Sequence, residues 1–387
     1  MDTIGSRLQA RRGIAPGFDF LRIFLASGVV AWHVPAIVKG DVSWGSTPIV
    51  WLLGYSILAA FFSLSGFLIA GSAQRLTLGN FLINRGLRIV PALLVEVVLC
   101  TLLLGPIFTN ISLYEYFTSP QTWHYFTNIV GIINYTLPGV FTKNPTDIVN
   151  NTLWTVPHEI MCYAAISILV IIGLLKRPMI IVALAAIMTI SGIFLELYGL
   201  TKTSHGVVGK FVYIVFVSNA SRLYSGFLFG ISAYLLRNRI VYSWRIFSIC
   251  ILLCAVISFF PIGSVPLATT LVLPEILYIT IFIGVTDVPI PSIFRKGDYS
   301  YGIYLYGWPI QQLTVSTFPA VSSLLLQFLI SIPLITAFAA FSWHFIERPI
   351  LELRKKFSFV ARVRLDETKS GHEAPAVEKL AANTSKS

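Results

Sequence analysis

Charge is what this chain has least of. Only 12% of its 387 residues are charged, 56% are hydrophobic, and the mean hydropathy is +0.78. A soluble domain carries about 25% charged residues, so a water-wetted globule of this size is excluded. Disorder is excluded by the same figures, because disordered chains are poor in apolar residues and rich in charge. Cysteine is scarce too. Cys100, Cys162, Cys250 and Cys254 all lie in apolar stretches, and Cys250 and Cys254 share a helical face. None has the spacing of a disulfide framework or a zinc site, so they read as small core residues.

What is there in quantity is apolar length. The chain would fill two or three soluble domains, but it divides better by the roughly 20 residues of a membrane-crossing helix. It reads as an all-α polytopic membrane protein. The first apolar run follows a basic stretch, Arg7 to Arg12, as in a signal peptide. It is too long for one and contains Asp19 and Arg22, so it is expected to be a retained helix.

Spanning runs are expected at about 18–38, 49–72, 89–109, 152–175, 178–198, 219–237, 243–260, 267–285, 299–317 and 321–345, ten helices in all. Shorter apolar stretches near 123–137 and 207–217 read as re-entrant or interfacial. With a cytoplasmic amino terminus, 22 of the 28 Lys and Arg residues fall inside. Lys39, Lys143, Lys202 and Lys210 fall outside, and Arg22 and Arg222 lie within helices. This asymmetry predicts that both ends are cytoplasmic. It also accounts for the net charge of +11 through topology and anionic lipid, with no nucleic-acid partner. Three segments are expected: an amino-terminal piece 1–17, a membrane domain 18–347, and a basic segment with a polar tail, 348–387.

The long outer loop, 110–151, carries Trp123, His124 and Tyr125, which could stack on sugar rings or sit at the headgroup level.

Polar side chains at membrane depth are costly, which makes each a functional candidate. Asp19, Arg22 and His33 lie along one stripe of the first helix, since eleven residues at about 100° each return within ~20° of the same face. The fourth helix opens LWTVPHEIMCY (153–163), placing Thr155, Glu159 and Tyr163 on one face at a depth matching His33. A histidine and a carboxylate in an occluded pocket can take a proton from a hydroxyl. Against that stands a buried neutral histidine bonded to a backbone carbonyl. His158 beside Glu159 invites a zinc reading, but the metalloprotease helix needs histidine where Cys162 stands, so no metal is expected. Arg85 and Arg88, three apart, serve either as topology anchors or as a fork for phosphate. Ser63, Ser65 and Gly66 in the second helix permit close helix packing or the approach of a ligand arm.

Together these segments resemble the membrane-bound acyltransferase family 3, which acylates sugars of bacterial cell-surface glycans. The resemblance runs through FDFLRIFLASGVVAWH (18–33), FFSLSGFLIAG (61–71), Arg85 and Arg88, LWTVPHEIMCY, DYSYGIYLYGWPIQQ (298–312) and HFIERPILELRKK (344–356). It implies a ten-helix enzyme of the bacterial inner membrane with acetyl-CoA as co-substrate, no bound cofactor, and a glycan or lipid-linked sugar as acceptor. It makes His33 the catalytic histidine and Arg85 and Arg88 the pair that handles the donor, and sets Arg22, Glu159, Tyr163 and Glu347 in or near the site. On the reading of the residues themselves, Glu159 is expected to help His33 in catalysis, Ser65 and Gly66 to lie along the donor arm, and Asp19 to support the site. Trp123, His124 and Trp154 are the acceptor-side candidates. The family often has a histidine where this chain has Gly307, and a hydrolase-like domain that some relatives carry after the last helix is expected to be absent. Direct attack on the thioester and a covalent acetyl-enzyme relay both remain open. The rival class is a secondary transporter or flippase for a polar glycolipid, against which stands the lack of a clear repeat between halves.

Overall fold

The computed structural model describes residues 2–11, 15–41, 43, 47–198, 215–216, 220–259, 265–289, 291, 294 and 296–357. The described residues are helical with no strand, and two isolated bridges, Thr3 to Val241 and Thr109 to Val140, tie loops together. Helices stand at each of the ten expected places: α1 Pro16–Lys39, α2 Val50–Arg75, α3 Leu78–Leu99, α4 Val156–Ile171, α5 Pro178–Leu197, α6 Ala220–Leu235, α7 Trp244–Ser258, α8 Val265–Gly284, α9 Ser300–Thr317 and α10 Leu324–Ser342. Among the described residues, six stretches are long and apolar enough to cross a membrane: Gly17–Lys39, Val50–Arg75, Leu78–Phe108, Asn151–Ile171, Pro178–Leu195 and Leu324–Glu352. A short helix, Ile4–Ala10, precedes them, and Arg348–Phe357 follows α10. Most of the stretch expected near 207–217, and the tail beyond 357 with Arg362 and Arg364, lie outside the described residues.

Local chemistry sets the ends. Pro16 opens α1 where its missing N–H costs nothing, and Gly40 closes it at φ +65°, a left-handed conformation suited to glycine. Thr77 caps α3 by accepting from the Asn80 N–H. That cap corrects one boundary. Hydropathy starts the third helix at about 89 because Asn84, Arg85 and Arg88 depress it, yet the helix begins at Leu78 and both arginines lie within it. Beyond Leu99 it continues through a π-turn, Cys100–Leu104, and the short helix Gly105–Phe108. A second π-turn, Trp343–Glu347, joins α10 to the carboxy-terminal helix.

α2 and α6 pack most closely. A Cβ on Gly66 would lie 2.0 Å from the Phe227 carbonyl oxygen, and one on Gly230 would lie 2.1 Å from that of Ser63. Backbones can meet at this distance only where side chains are absent. α9 runs beside α1 and α10, and Gly307 lets it do so, since a Cβ there would come within 2.9 Å of Val30. The family's frequent histidine would need the Val30 side chain to shift.

The segment between α3 and α4 is folded rather than loose. Short helices Leu113–Thr118 and Pro120–His124 and a 3₁₀ turn, Tyr125–Val130, bury Tyr116, Tyr125 and Asn128. Its return strap is laced to α9. Pro309 has no N–H, so the Leu305 carbonyl four residues earlier is free. It accepts from Asn150 Nδ2 at 3.0 Å. Trp308 Nε1 donates to the Ile148 carbonyl at 2.8 Å, and Gln312 Nε2 donates to the carbonyls of Thr146 and Ile148 at 2.8 and 2.6 Å. Leu305, Trp308 and Gln312 recur at one helical face, so α9 presents a row of anchors to the strap.

Candidate active site

Two adjoining cavities hold most of the side chains singled out above. The first, of about 340 Å³, is lined by Arg22, Arg85 and Arg88 together with Ser65, Glu159, Tyr163 and Tyr301. The second, of about 460 Å³, is lined by His33 with Trp32, Trp154, Trp308, Asn151 and Arg222. Leu58 and Tyr304 line both. The partition is hydrogen-bonded: Tyr304 Oη lies 2.7 Å from Thr155 Oγ1 and donates to the Thr152 carbonyl at 3.3 Å.

In the arginine cavity the charges are unequal. Asp298, in the loop before α9, accepts from Arg88 Nη2 at 2.7 Å and from Arg22 Nη1 at 3.1 Å, and Ser300 Oγ donates to its other oxygen at 2.6 Å. Burial would favour its neutral form, yet Arg88 and Arg22 together hold its carboxyl well below the usual carboxylate range. Asp19, exposed at the edge, lies 3.6 Å from Arg22. Arg85 differs. It has no salt bridge among the described residues, and its buried Nε has no hydrogen-bond partner. The Arg85/Arg88 fork is thus split into one neutralised guanidinium and one uncommitted one. Across from it, Tyr163 Oη donates to Glu159. Glu347, buried in the second π-turn, accepts from Ser342 Oγ at 3.1 Å and is within electrostatic reach of Arg88.

In the histidine cavity, the His33 ring meets the edge of Trp308 at 4.8 Å between centroids. Gln311 Nε2, from the next turn of α9, donates to the Val30 carbonyl at 3.0 Å and holds the two helices together at this depth. Arg222 lies over the Tyr55 ring at 4.7 Å. The Trp154 ring edge meets His158, which is buried and lies 2.7 Å from the Tyr224 hydroxyl.

Two expectations are answered differently from their statement above. His33 and Glu159 line neighbouring cavities, with the Tyr304–Thr155 partition at the boundary, and do not share one pocket. Gly66 faces α6 rather than the arginine cavity, whose wall is made by Ser65. Of the loop candidates, Trp154 lines the histidine cavity, while Trp123 and His124 are exposed, Trp123 stacking on Phe126. No group of three or more His, Cys, Asp or Glu side chains gathers as a metal site among the described residues.

Residues that pattern reading passed over carry much of the frame. Asp298 heads a quoted segment, but its role as joint counter-ion to α1 and α3 needed the fold. Glu96, in the last turn of α3, is buried and accepts from Asn150 Nδ2 at 2.8 Å and from Cys100 Sγ at 3.2 Å. Both donors of the Asn150 amide are therefore used, one on α3 and one on α9. A carboxylate four residues before a cysteine in an apolar run was the available signal.

The family model described as an acyltransferase domain (Acyl_transf_3) matches residues 16–344, from the start of α1 to the end of α10. The chain belongs to this acyltransferase family. Among curated relatives, the acyltransferase is 25% identical over 321 residues to an O-acetyl transferase of Shigella phage Sf6, covering 78% of this chain and 86% of the relative. It is 28% identical over 387 residues to Nodulation protein 10 of Rhizobium leguminosarum bv. viciae, covering 93% and 99%. No solved structure matches it. Between the enzyme and transporter readings, family membership decides for a membrane acyltransferase, and both cavities lie within the matched region.

Proposed function

We propose that this acyltransferase moves an acetyl group from acetyl-CoA to a hydroxyl of a cell-surface sugar, in the bacterial inner membrane, with ten crossings and both ends cytoplasmic. The observation that carries the reading is the pair of cavities meeting at Tyr304, one cationic and one built of a histidine and aromatic rings. The basic asymmetry of the chain puts the Arg22 end of α1 at the cytoplasmic face and His33 toward the outer one. Eleven residues of helix separate them, ~16 Å along the axis. A donor with phosphates at one end and a thioester at the end of a long arm suits that interval.

Arg85 is the cation with hydrogen-bonding capacity to spare, so it takes the donor's phosphates, while Asp298 keeps Arg88 and Arg22 in place. The arm passes Ser65 toward Tyr304. In the histidine cavity His33 takes the proton of a sugar hydroxyl whose oxygen attacks the thioester carbonyl. The C–S bond breaks, and the thiolate leaves to be protonated as free CoA thiol. General-base help of this kind contributes ~10²–10⁴-fold. Glu159, held by Tyr163, belongs to the donor side of this scheme.

The test is release of free thiol from acetyl-CoA by the purified protein when membrane glycan is supplied, together with NMR of surface polysaccharide with and without the gene. A thiol signal that requires glycan, and a lost O-acetyl resonance, support the reading. Unchanged polysaccharide and no glycan-dependent thiol would overturn it. Trapping a labelled acetyl-enzyme without acceptor would replace direct attack by the covalent relay.

A further inference from the structure

Arg222 has no part in the scheme above. It stands on α6 and lines the histidine cavity, where among the described residues it is the one charged lining side chain, the others being His33, Trp32, Trp154, Trp308, Tyr304 and uncharged neighbours. Its guanidinium carbon is 4.7 Å from the centre of the Tyr55 ring. Stacking of this kind occupies the face of the guanidinium and leaves the N–H groups in its plane to bond elsewhere. Those groups have little to bond to. The buried Nε has no hydrogen-bond partner, and Arg222 makes no salt bridge among the described residues. The contrast with Arg88 is direct, since Asp298 neutralises that cation at 2.7 Å.

A cation kept at membrane depth without a counter-ion is costly, and such residues mark the path of a charged ligand. A guanidinium is matched by the paired oxygens of a carboxylate or phosphate. The donor's phosphates cannot supply them while held at Arg85, because that cavity lies on the other side of the Tyr304 partition. The flat indole walls of the same cavity suit the C–H faces of a sugar ring. Resting on the acyl-transfer reading, we infer that Arg222 anchors an anionic group of the acceptor, a carboxylate on the sugar or a phosphate of its lipid carrier, and so sets which hydroxyl comes to His33. Arg222 is a specificity-determining residue of the acceptor site.

Three probes separate the possibilities, with the full-length protein in lipid nanodiscs. They are an oligosaccharide containing glucuronic acid, the same oligosaccharide after reduction of the carboxyl to a neutral alcohol, and that neutral oligosaccharide on a polyprenyl diphosphate. Affinity is read by direct titration, without turnover. The inference expects at least one anionic probe to bind about tenfold or more tighter than the neutral one. Arg222→Gln should abolish that difference and Arg222→Lys should keep most of it. Preference for the glucuronic acid assigns the anion to the sugar, and preference for the diphosphate assigns it to the carrier. Equal affinity for all three probes overturns the inference, as does an R222Q protein that weakens charged and neutral probes alike. If R222Q does not fold, the wild-type preference and its retention in R222K decide. Charge preference without thiol release from acetyl-CoA would indict the transfer reading and leave the anion site standing.

Discussion

The two cavities meet at one tyrosine but are built on opposite principles. On the arginine side three guanidiniums face a shared aspartate, a glutamate held by a tyrosine, and a second buried glutamate, so charge is mostly balanced within the protein. On the histidine side three indoles and an imidazole line the cavity with a single cation, and no carboxylate lines it among the described residues. The first is a rigid electrostatic frame with one cation, Arg85, outside its salt bridges. The second is an aromatic vessel whose charge must be completed by what enters it. Inside a membrane this difference has a physical reading: balanced charges hold helices together, and unbalanced ones select ligands.

The largest effect is expected at His33. His33→Ala should lower acetyl transfer by ~10²–10⁴-fold while acetyl-CoA still binds, measured by glycan-dependent thiol release and titration of the donor. Full transfer by this variant would remove the chemistry from the histidine side. Next comes the frame itself. Asp298→Asn leaves Arg88 and Arg22 without their shared counter-ion; breaking a fully buried pair costs about 3–5 kcal/mol, and this part-buried one sets a smaller loss. The expected readout is a clear fall in the thermal denaturation midpoint in detergent, and an unchanged midpoint would show that Asp298 is not the keystone.

Arg85→Gln tests whether the leftover cation is a donor site. Charge-assisted bonds contribute about 1.5–3 kcal/mol, so KM for acetyl-CoA should rise roughly 10- to 100-fold, while acetyl-pantetheine, which lacks the phosphates, should be handled as before. Equal losses with both donors would make Arg85 structural. The smallest effect is expected at the partition. Tyr304→Phe removes the hydroxyl that reaches Thr155 and Thr152, and the loss of one such bond is about 0.5–1.5 kcal/mol. Acceptor-independent thiol release should rise about 2- to 10-fold as the boundary loosens. A rate that does not move would mean that the ring, and not its hydroxyl, divides the cavities.

Much of this arrangement was legible from residue order. Apolar runs located the ten long helices of the described residues, because an apolar stretch of that length has few alternatives. Polar exceptions within those runs pointed to Arg22, His33 and Glu159, and the three-residue spacing of the pair just before the third run pointed to Arg85 and Arg88; all five line one cavity or the other. Depth along a helix was readable from residue counting at 1.5 Å each. It matched Glu159 to His33 in height and said nothing about what stands between them. Tyr304 and Thr155 come from segments 149 residues apart, and their meeting depends on how α4 and α9 pack.

Composition and periodicity therefore settled that this is a helical membrane protein, where its helices lie, and which side chains are out of place in lipid. They could do so because the cost of a polar group in hydrocarbon acts on each residue separately. The division of the arginines into a neutralised pair and a free one, the burial of Gly66 against Phe227, and the joining of Glu96, Asn150 and Leu305 were settled by packing. Those features depend on distances between helices remote in the chain, and such distances are fixed when side chains fill the space between backbones.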